Sequence, residues 1–433
     1  MRLASPAALT AALVMLAPAG ARGQFAQYTQ PGSSSVGGGA VSQEQLDQAL
    51  ADALWQLGPV RVAPWIGVRD LAWHSNPAGA TEEADTDGDL SATAGAGLRA
   101  YLPTGPSVVW SAHALPEYAW FADDDARRRV NGRYGAGVFA FFNRLTLQAT
   151  ATRIEALEIL SAEAPEQANG RQDTVAVAGE VELGFSTSVF AGASSRKVEN
   201  LLNQEERETG PPLDLLDRRE ETLRAGLRYR PRERWSFAAG MEWTETDLPS
   251  GGRNLSSTGE APIVEVAYSG PKFFLTTQAA FRILEPEGDS AFPETETTTY
   301  SARLGLEGNR LSPVLYGRRT LALAVSQGYS HFETQVVGLS ARLRLGHRTE
   351  LAAFGETGAS DFTAIDPAVP AREDDLVSFG ADLGLQVGRA LRLRLGGYRT
   401  EFDSNLPGED RTVTVFSTGV SLGLFGEDGI GWP

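Results

Sequence analysis

The chain has no cysteine, four histidines and three methionines among its 433 residues. Without cysteine there is no disulfide scaffold, no thiolate metal site and no thiol nucleophile. Lysine is nearly missing too. Lys197 and Lys272 stand alone among 38 basic residues, so positive charge here means arginine. Long apolar runs are also absent. Beyond the first residues no stretch of about 18 apolar residues occurs, which excludes a spanning helix. A formal charge of −17 argues against nucleic acid as a partner. No phosphate loop, nucleotide fingerprint or zinc spacing is found, so no cofactor is expected.

What is present begins with MRLASPAALTAALVMLAPAGARGQ. Arg2, the apolar run Ala7 to Ala17 and the small residues before Gln24 have the three parts of a secretory signal peptide, assigned to residues 1–23. Residues 24–58 follow as a Gly/Ser-rich tether and one short amphipathic helix. The helix opens with a capping box, Ser42 to Gln45, and repeats Leu46, Ala49, Leu50, Ala53, Leu54 and Leu57 until Gly58. It suits a place on the periplasmic rim. It also suits a plug inside a lumen, or a self-association helix.

From residue 59 to 426 the pattern changes to alternating runs of about ten residues. WSFAAGMEW sets Trp235, Phe237, Ala239, Met241 and Trp243 against Ser236, Gly240 and Glu242. Tight turns such as Thr104-Gly105-Pro106 and His347-Arg348 alternate with long acidic loops such as HSNPAGATEEADTDGD. That sorting belongs to an all-β, antiparallel up-and-down transmembrane barrel of about 18 strands, with 16 as the alternative. A sandwich has no reason to sort its connections so. Residues 427–433 form a short tail.

Aromatic residues on the apolar face fall into two sets. Trp110, Phe142, Tyr229, Trp235, Tyr268 and Phe273 lie near the turns; Tyr118, Trp120, Trp243, Phe281 and Tyr300 lie near the loops. Girdles at the two edges of a membrane would be placed this way.

The same count of two puts Arg61, Arg69, Arg99, Arg133, Arg224 and Arg228 on the opposite face. Arg282, Arg303, Arg318, Arg342, Arg344, Arg392 and Arg394 join them. An arginine turned to lipid near the midplane costs about 2–4 kcal/mol, so this face must line a wet interior. Glu117, Glu180, Glu182, Glu242, Glu265, Glu307, Glu350 and Asp382 share it, which makes the expected lumen mixed but net basic. Inward glycines, among them Gly135, Gly240, Gly305 and Gly380, are expected to leave space there.

The region from Val60 to Phe425 resembles Gram-negative outer-membrane β-barrels. Its last run, STGVSLGLF, is similar to the terminal strand read by the barrel-assembly machinery, although the tail GEDGIGWP departs from that signal's aromatic end. PVRVAPWIGVRDLAWHSN and NGRYGAGVFAFFNRLTL are similar to the β-barrel porin-2 family. The resemblance implies an outer-membrane location, contact with lipid and lipopolysaccharide, and, for the family, an association with exopolysaccharide clusters. It brings no catalytic residues. His74-Ser75-Asn76 contains residue types of a lipase triad, but adjacent loop residues do not make one. Asp85, Asp87 and Asp89 surround a glycine as calcium ligands do, yet the acidic twelfth ligand is missing, and a solvated loop fits better. The expected function is a porin-like channel for small, preferentially anionic solutes and not an enzyme. Export of an acidic polysaccharide is the alternative, and a rim hydrolase the remote one.

Overall fold

The computed structural model describes residues 25, 31, 41, 43–75, 88–123, 125, 128–159, 161, 163, 167–201, 216–248, 254–326, 328–387 and 391–422. The signal-peptide assignment, Asp85, Asp87 and the C-terminal tail lie outside these residues. One helix, α1 (Gln43–Asp52), precedes a short strand, β1 (Trp55–Leu57). The wall begins with β2 (Val60–His74), β3 (Asp89–Pro103), β4 (Val108–Phe121), β5 (Arg129–Phe141), β6 (Leu145–Ile159) and β7 (Gln167–Glu182). It continues with β8 (Thr187–Asn200), β9 (Arg218–Arg232), β10 (Trp235–Asp247), β11 (Ser257–Ser269), β12 (Phe273–Pro286) and β13 (Thr295–Leu306). The last are β14 (Leu311–Leu323), β15 (Tyr329–Arg344), β16 (Thr349–Ala364), β17 (Glu373–Val387), β18 (Leu391–Ser404) and β19 (Arg411–Leu422).

Each wall strand pairs antiparallel with the next, and β19 pairs with β2 to close the cylinder. β2 to β19 therefore form a closed antiparallel barrel of 18 strands, the larger of the two counts expected from sequence. The strands around Val189 and Val314, β8 and β14, complete that count.

Period two decides the faces. Along β17, Val377, Phe379, Leu383, Leu385 and Val387 are exposed, while Leu376 and Ser378 are buried. β15 does the same with exposed Val337 and Leu339 against buried Val336. Large apolar side chains thus cover the outside, the reverse of a water-soluble sandwich and the surface that lipid requires. At the turn end of this surface Trp235, Tyr268 and Phe273 form an unbroken aromatic strip, with ring centroids 4.7 and 4.4 Å apart. Tyr300 does not belong to the loop-end set. It lies halfway along β13, between Thr295 and Leu306.

Three features depart from a simple count. The helix ends at Asp52 and not at Leu57; Gly58, at φ 62°, turns β1 back onto β2, pairing Trp55 with Val62. Only a residue tolerant of positive φ closes so short a turn. β2 carries a bulge at Arg69, where Val68 pairs Ala94 but Asp70 pairs Thr93. The extra residue moves the exposed set from Ile66 and Val68 to Leu71 and Trp73, so parity cannot be carried across Arg69. Finally, β13 pairs β14 only between Tyr300–Gly305 and Val314–Arg319, whereas β14 pairs β15 along its whole length. The tip of the β14–β15 hairpin therefore leaves the wall at the loop end.

Candidate functional site: the arginine-bearing interior

The inner wall is built by the residues that alternate with the exposed apolar set. Arg303, Arg342, Arg344, Arg392 and Arg394 lie toward the turn end of β13, β15 and β18, and Glu350 and Asp382 come between them on β16 and β17. Arg342 reaches Glu350 at 3.1 Å and Arg394 reaches Asp382 at 3.0 Å. Arg303, Arg344 and Arg392 have no acidic partner among the described residues. Arg303 instead lies over the Phe274 ring, 5.4 Å from its centroid.

Elsewhere on the wall, ion pairs bridge a strand and its second neighbour. Arg228 on β9 meets Glu180 on β7 at 2.5 Å and Glu265 on β11 at 3.4 Å. Arg282 on β12 meets Glu242 on β10 at 2.9 Å, and Arg318 on β14 meets Glu356 on β16 at 3.5 Å. The hydroxyl of Tyr316 donates to the same Glu356 at 2.7 Å. Each of these pairs lies flat along the wall, so pairing does not draw opposite walls together. Arg99 and Arg224 add inward cations with no acidic partner among the described residues. Arg133 and Glu117 are both buried in the wall. Arg61 donates to Gln56 at 2.7 Å, beside the short β1 hairpin. The side chain of Arg69 lies outside the described set.

Several inward glycines, Gly305 and Gly380 among them, do not leave empty space. Phe190 covers Gly226, Phe274 covers Gly305, Tyr316 covers Gly338 and Phe354 covers Gly380, so a β-carbon at any of the four would strike a ring. The rings lie flat on the wall, and arginines stack on two of them: Arg303 on Phe274, and Arg228 on Phe190 at 5.1 Å. A guanidinium over an aromatic face keeps its charge while its position is fixed.

Both ends of the interior carry packed groups. At the turn end, α1 rests on the inner wall, not on the outer rim. Leu46, 2% exposed, packs with Val41 against Tyr101, Val109 and Phe139, and the Val41 N–H donates to Gln148 Oε1 at 3.3 Å. At the loop end, Phe25 is fully buried with Leu216, Leu248, Leu255, Leu284 and Phe292, and with Leu321 and Leu323 of the inturned hairpin. Arg196, on the inner face of β8, donates to the Phe25 carbonyl at 2.8 Å. Glu163, between β6 and β7, accepts from the N–H groups of Val325 and Ser326 at 2.5 and 3.1 Å and pairs with Arg372 at 3.3 Å. β14 stands eight places round from β6 in a ring of eighteen, so this carboxylate ties nearly opposite sides of the mouth.

The other candidates disperse. His74 is buried at the loop end of β2, and Ser75 Oγ accepts from the Thr414 N–H. His113 sits within the β4 wall opposite Arg99. His331 stacks on Phe292 and its Nδ1 lies 2.9 Å from Ser330 Oγ, within the loop-end core. Asp89 is the first residue of β3 and accepts from the Asp123 N–H at 3.3 Å. No cluster of metal-ligating side chains exists among the described residues. Phe25, Glu163 and the Arg196–Glu220 pair carried no signal in the alternation that reveals the wall.

No family model matches the chain, and no curated protein matches its sequence. Its fold is similar to solved barrels from Pseudomonas aeruginosa. OpdQ superposes with a TM-score of 0.50 at 11% identity, covering 84% of this chain and 99% of that one. OpdO gives 0.50 at 11% identity, covering 84% and 98%. The outer membrane protein OpdK gives 0.47 at 10% identity, covering 84% and 99%. At this identity the likeness is one of fold.

Proposed function

We propose that the chain is an outer-membrane channel that passes small hydrophilic solutes and favours anions. A closed cylinder with an apolar exterior satisfies every strand edge within a bilayer, which an open sheet does not. Barrels of 16–18 strands are wide enough for water and solute between their walls. One observation carries the preference for anions. Arg99, Arg224, Arg303, Arg344 and Arg392 face inward without an acidic partner among the described residues, whereas of the inward acids, Glu180, Glu242, Glu265, Glu350, Glu356 and Asp382 sit on arginines and only Glu182 and Glu307, at the turn ends of β7 and β13, are left without one. Surplus fixed positive charge in a narrow aqueous path raises the local concentration of anions and repels cations. The aromatic rings beside Arg303 and Arg228 supply apolar patches for the carbon skeleton of such a solute.

Liposome swelling tests this reading. Vesicles containing the full mature chain should admit an anionic sugar acid faster than an uncharged sugar of the same size, and an amino sugar slowest. Swelling no faster than in empty vesicles, or the reverse order, defeats the proposal.

A further inference from the structure

The turn end of the interior carries opposite charge on its two sides. α1 lies on β3, β4 and β5, where Leu46 packs on Tyr101, Val109 and Phe139. A helix advances about 100° per residue, so Glu44, Gln48 and Ala51 lie on the side away from Leu46, flanked by Asp47 and Asp52. All five are exposed. Glu44, Asp47 and Asp52 have no basic partner among the described residues. The helix thus buries its apolar side on the wall and turns three carboxylates toward the lumen.

Straight across stand arginines. β4 and β13 are nine places apart in the ring of eighteen strands, and so are β6 and β15. Arg303 on β13 thus lies across the lumen from Val109 on β4, and Arg342 and Arg344 on β15 lie across from Gln148 on β6. Arg392 and Arg394 extend this side to β18. Height matches as well. Tyr101, Val109, Phe139 and Gln148 lie within three residues of the turn end of their strands, and the five arginines do too. The separation is one of surplus. On the arginine side Glu350 and Asp382 are bound to Arg342 and Arg394, and Glu307 follows the end of β13. On the helix side Arg61 donates to Gln56, Glu182 ends β7, and Arg99 lies two residues from Tyr101, toward the loop end.

Sign across a path acts differently from net sign along it. For a simple ion the pull of one side is offset by the push of the other, so the surplus decides. A dipolar solute lying across the path turns its carboxylate to the arginines and its ammonium to the helix, and both ends gain. Strands about 4.8 Å apart and tilted about 40° set opposite backbones of such a ring about 35 Å apart. A helix about 10 Å thick on one side and arginines on the other narrow that path toward the order of the Debye length, about 8 Å.

We propose that the turn end of the lumen is a bipolar constriction, Glu44, Asp47 and Asp52 on one side and Arg303, Arg344 and Arg392 on the other, that favours small zwitterions. Its solute carries one ammonium and one carboxylate on a short skeleton. The inference rests on the channel reading above and names a solute class for the same interior.

Serine and its uncharged isomer glyceramide separate this from a lumen of one sign. In swelling of vesicles that hold the full chain, serine should enter several-fold faster than glyceramide, each corrected for empty vesicles. Glu44→Gln, Asp47→Asn and Asp52→Asn together should bring serine down to the glyceramide rate. The same variant should admit the sugar acid faster, because the charges that oppose it are gone. Arg344→Gln with Arg392→Gln removes the other pole, so serine should again fall to the glyceramide rate, and the sugar acid should slow with it. A heat-modifiable gel band identifies folded barrels in each case. Serine and glyceramide entering alike in the parent, while the sugar acid enters, overturns the bipolar constriction and leaves the channel reading standing. A serine advantage that survives the helix substitutions does the same. Vesicles that admit none of the solutes overturn both.

Discussion

Arg196 and Glu220 form a buried ion pair at 2.6 Å, and the guanidinium nitrogen that makes it also holds the Phe25 carbonyl. Glu220 takes a second arginine, Arg218, at 2.5 Å on its other oxygen. One fully buried carboxylate thus balances two buried guanidinium groups. Glu220→Gln removes the carboxylate that the two cations share, leaving Arg218 only the neighbouring Asp217, and the folded barrel should lose about 3–5 kcal/mol of stability. Urea unfolding from lipid vesicles measures the loss. A change within ~0.5 kcal/mol would mean that the site is wet and the charges are already screened.

Glu163 acts across the mouth. Its carboxylate holds two backbone N–H groups of the inturned hairpin and Arg372. Hydrogen bonds to a charged acceptor contribute about 1.5–3 kcal/mol each, so Glu163→Gln should speed amide exchange at Val325 and Ser326 by roughly 10- to 100-fold while mid-wall amides keep their protection. Exchange read by NMR or mass spectrometry gives the answer. Unchanged rates at those two amides contradict the bridge.

The assignment of faces is tested by one pair of substitutions on β15. Val337 is exposed on the apolar face near mid-strand, and Ser340 faces inward two residues from Arg342. Val337→Arg should cost about 2–4 kcal/mol on folding into a bilayer, and Ser340→Arg less than about 1 kcal/mol. Equal costs would mean that the two faces see the same medium.

How far could the sequence be read? Strands, faces and the barrel class were legible because alternation is local: Leu339, Leu343 and Leu345 declare their side without knowledge of any neighbour. Partners were not legible. Arg318 finds Glu356 across an intervening strand, a choice made by register, and register in turn depends on turns and bulges such as the one at Arg69. The aromatic covers over inward glycines were hidden for the same reason, since Gly305 and Phe274 sit on different strands. Phe25 was the least visible. A single phenylalanine in a polar stretch has no period, and its meaning lies wholly in what it packs against. α1 was legible as a helix, but its position inside the barrel was only one of the options its apolar stripe allowed.

The unpaired arginines predict a graded response. Arg303→Glu combined with Arg392→Glu converts two surplus positive charges on the turn-end half into negative ones. Anion-to-cation permeability should fall several-fold, because a reversed charge in a confined path acts at short range and low screening. Arg319→Glu should leave permeability unchanged, since Arg319 pairs with Glu333 on the outer-face parity of the hairpin. Equal effects of the two changes would separate selectivity from the inner wall.

The most direct measurement is the zero-current potential of the protein in a planar bilayer under a potassium chloride gradient. The account expects a potential of the sign set by chloride, and a shift toward zero in the Arg303→Glu, Arg392→Glu variant. A potential of the sign set by potassium in the parent protein would contradict it.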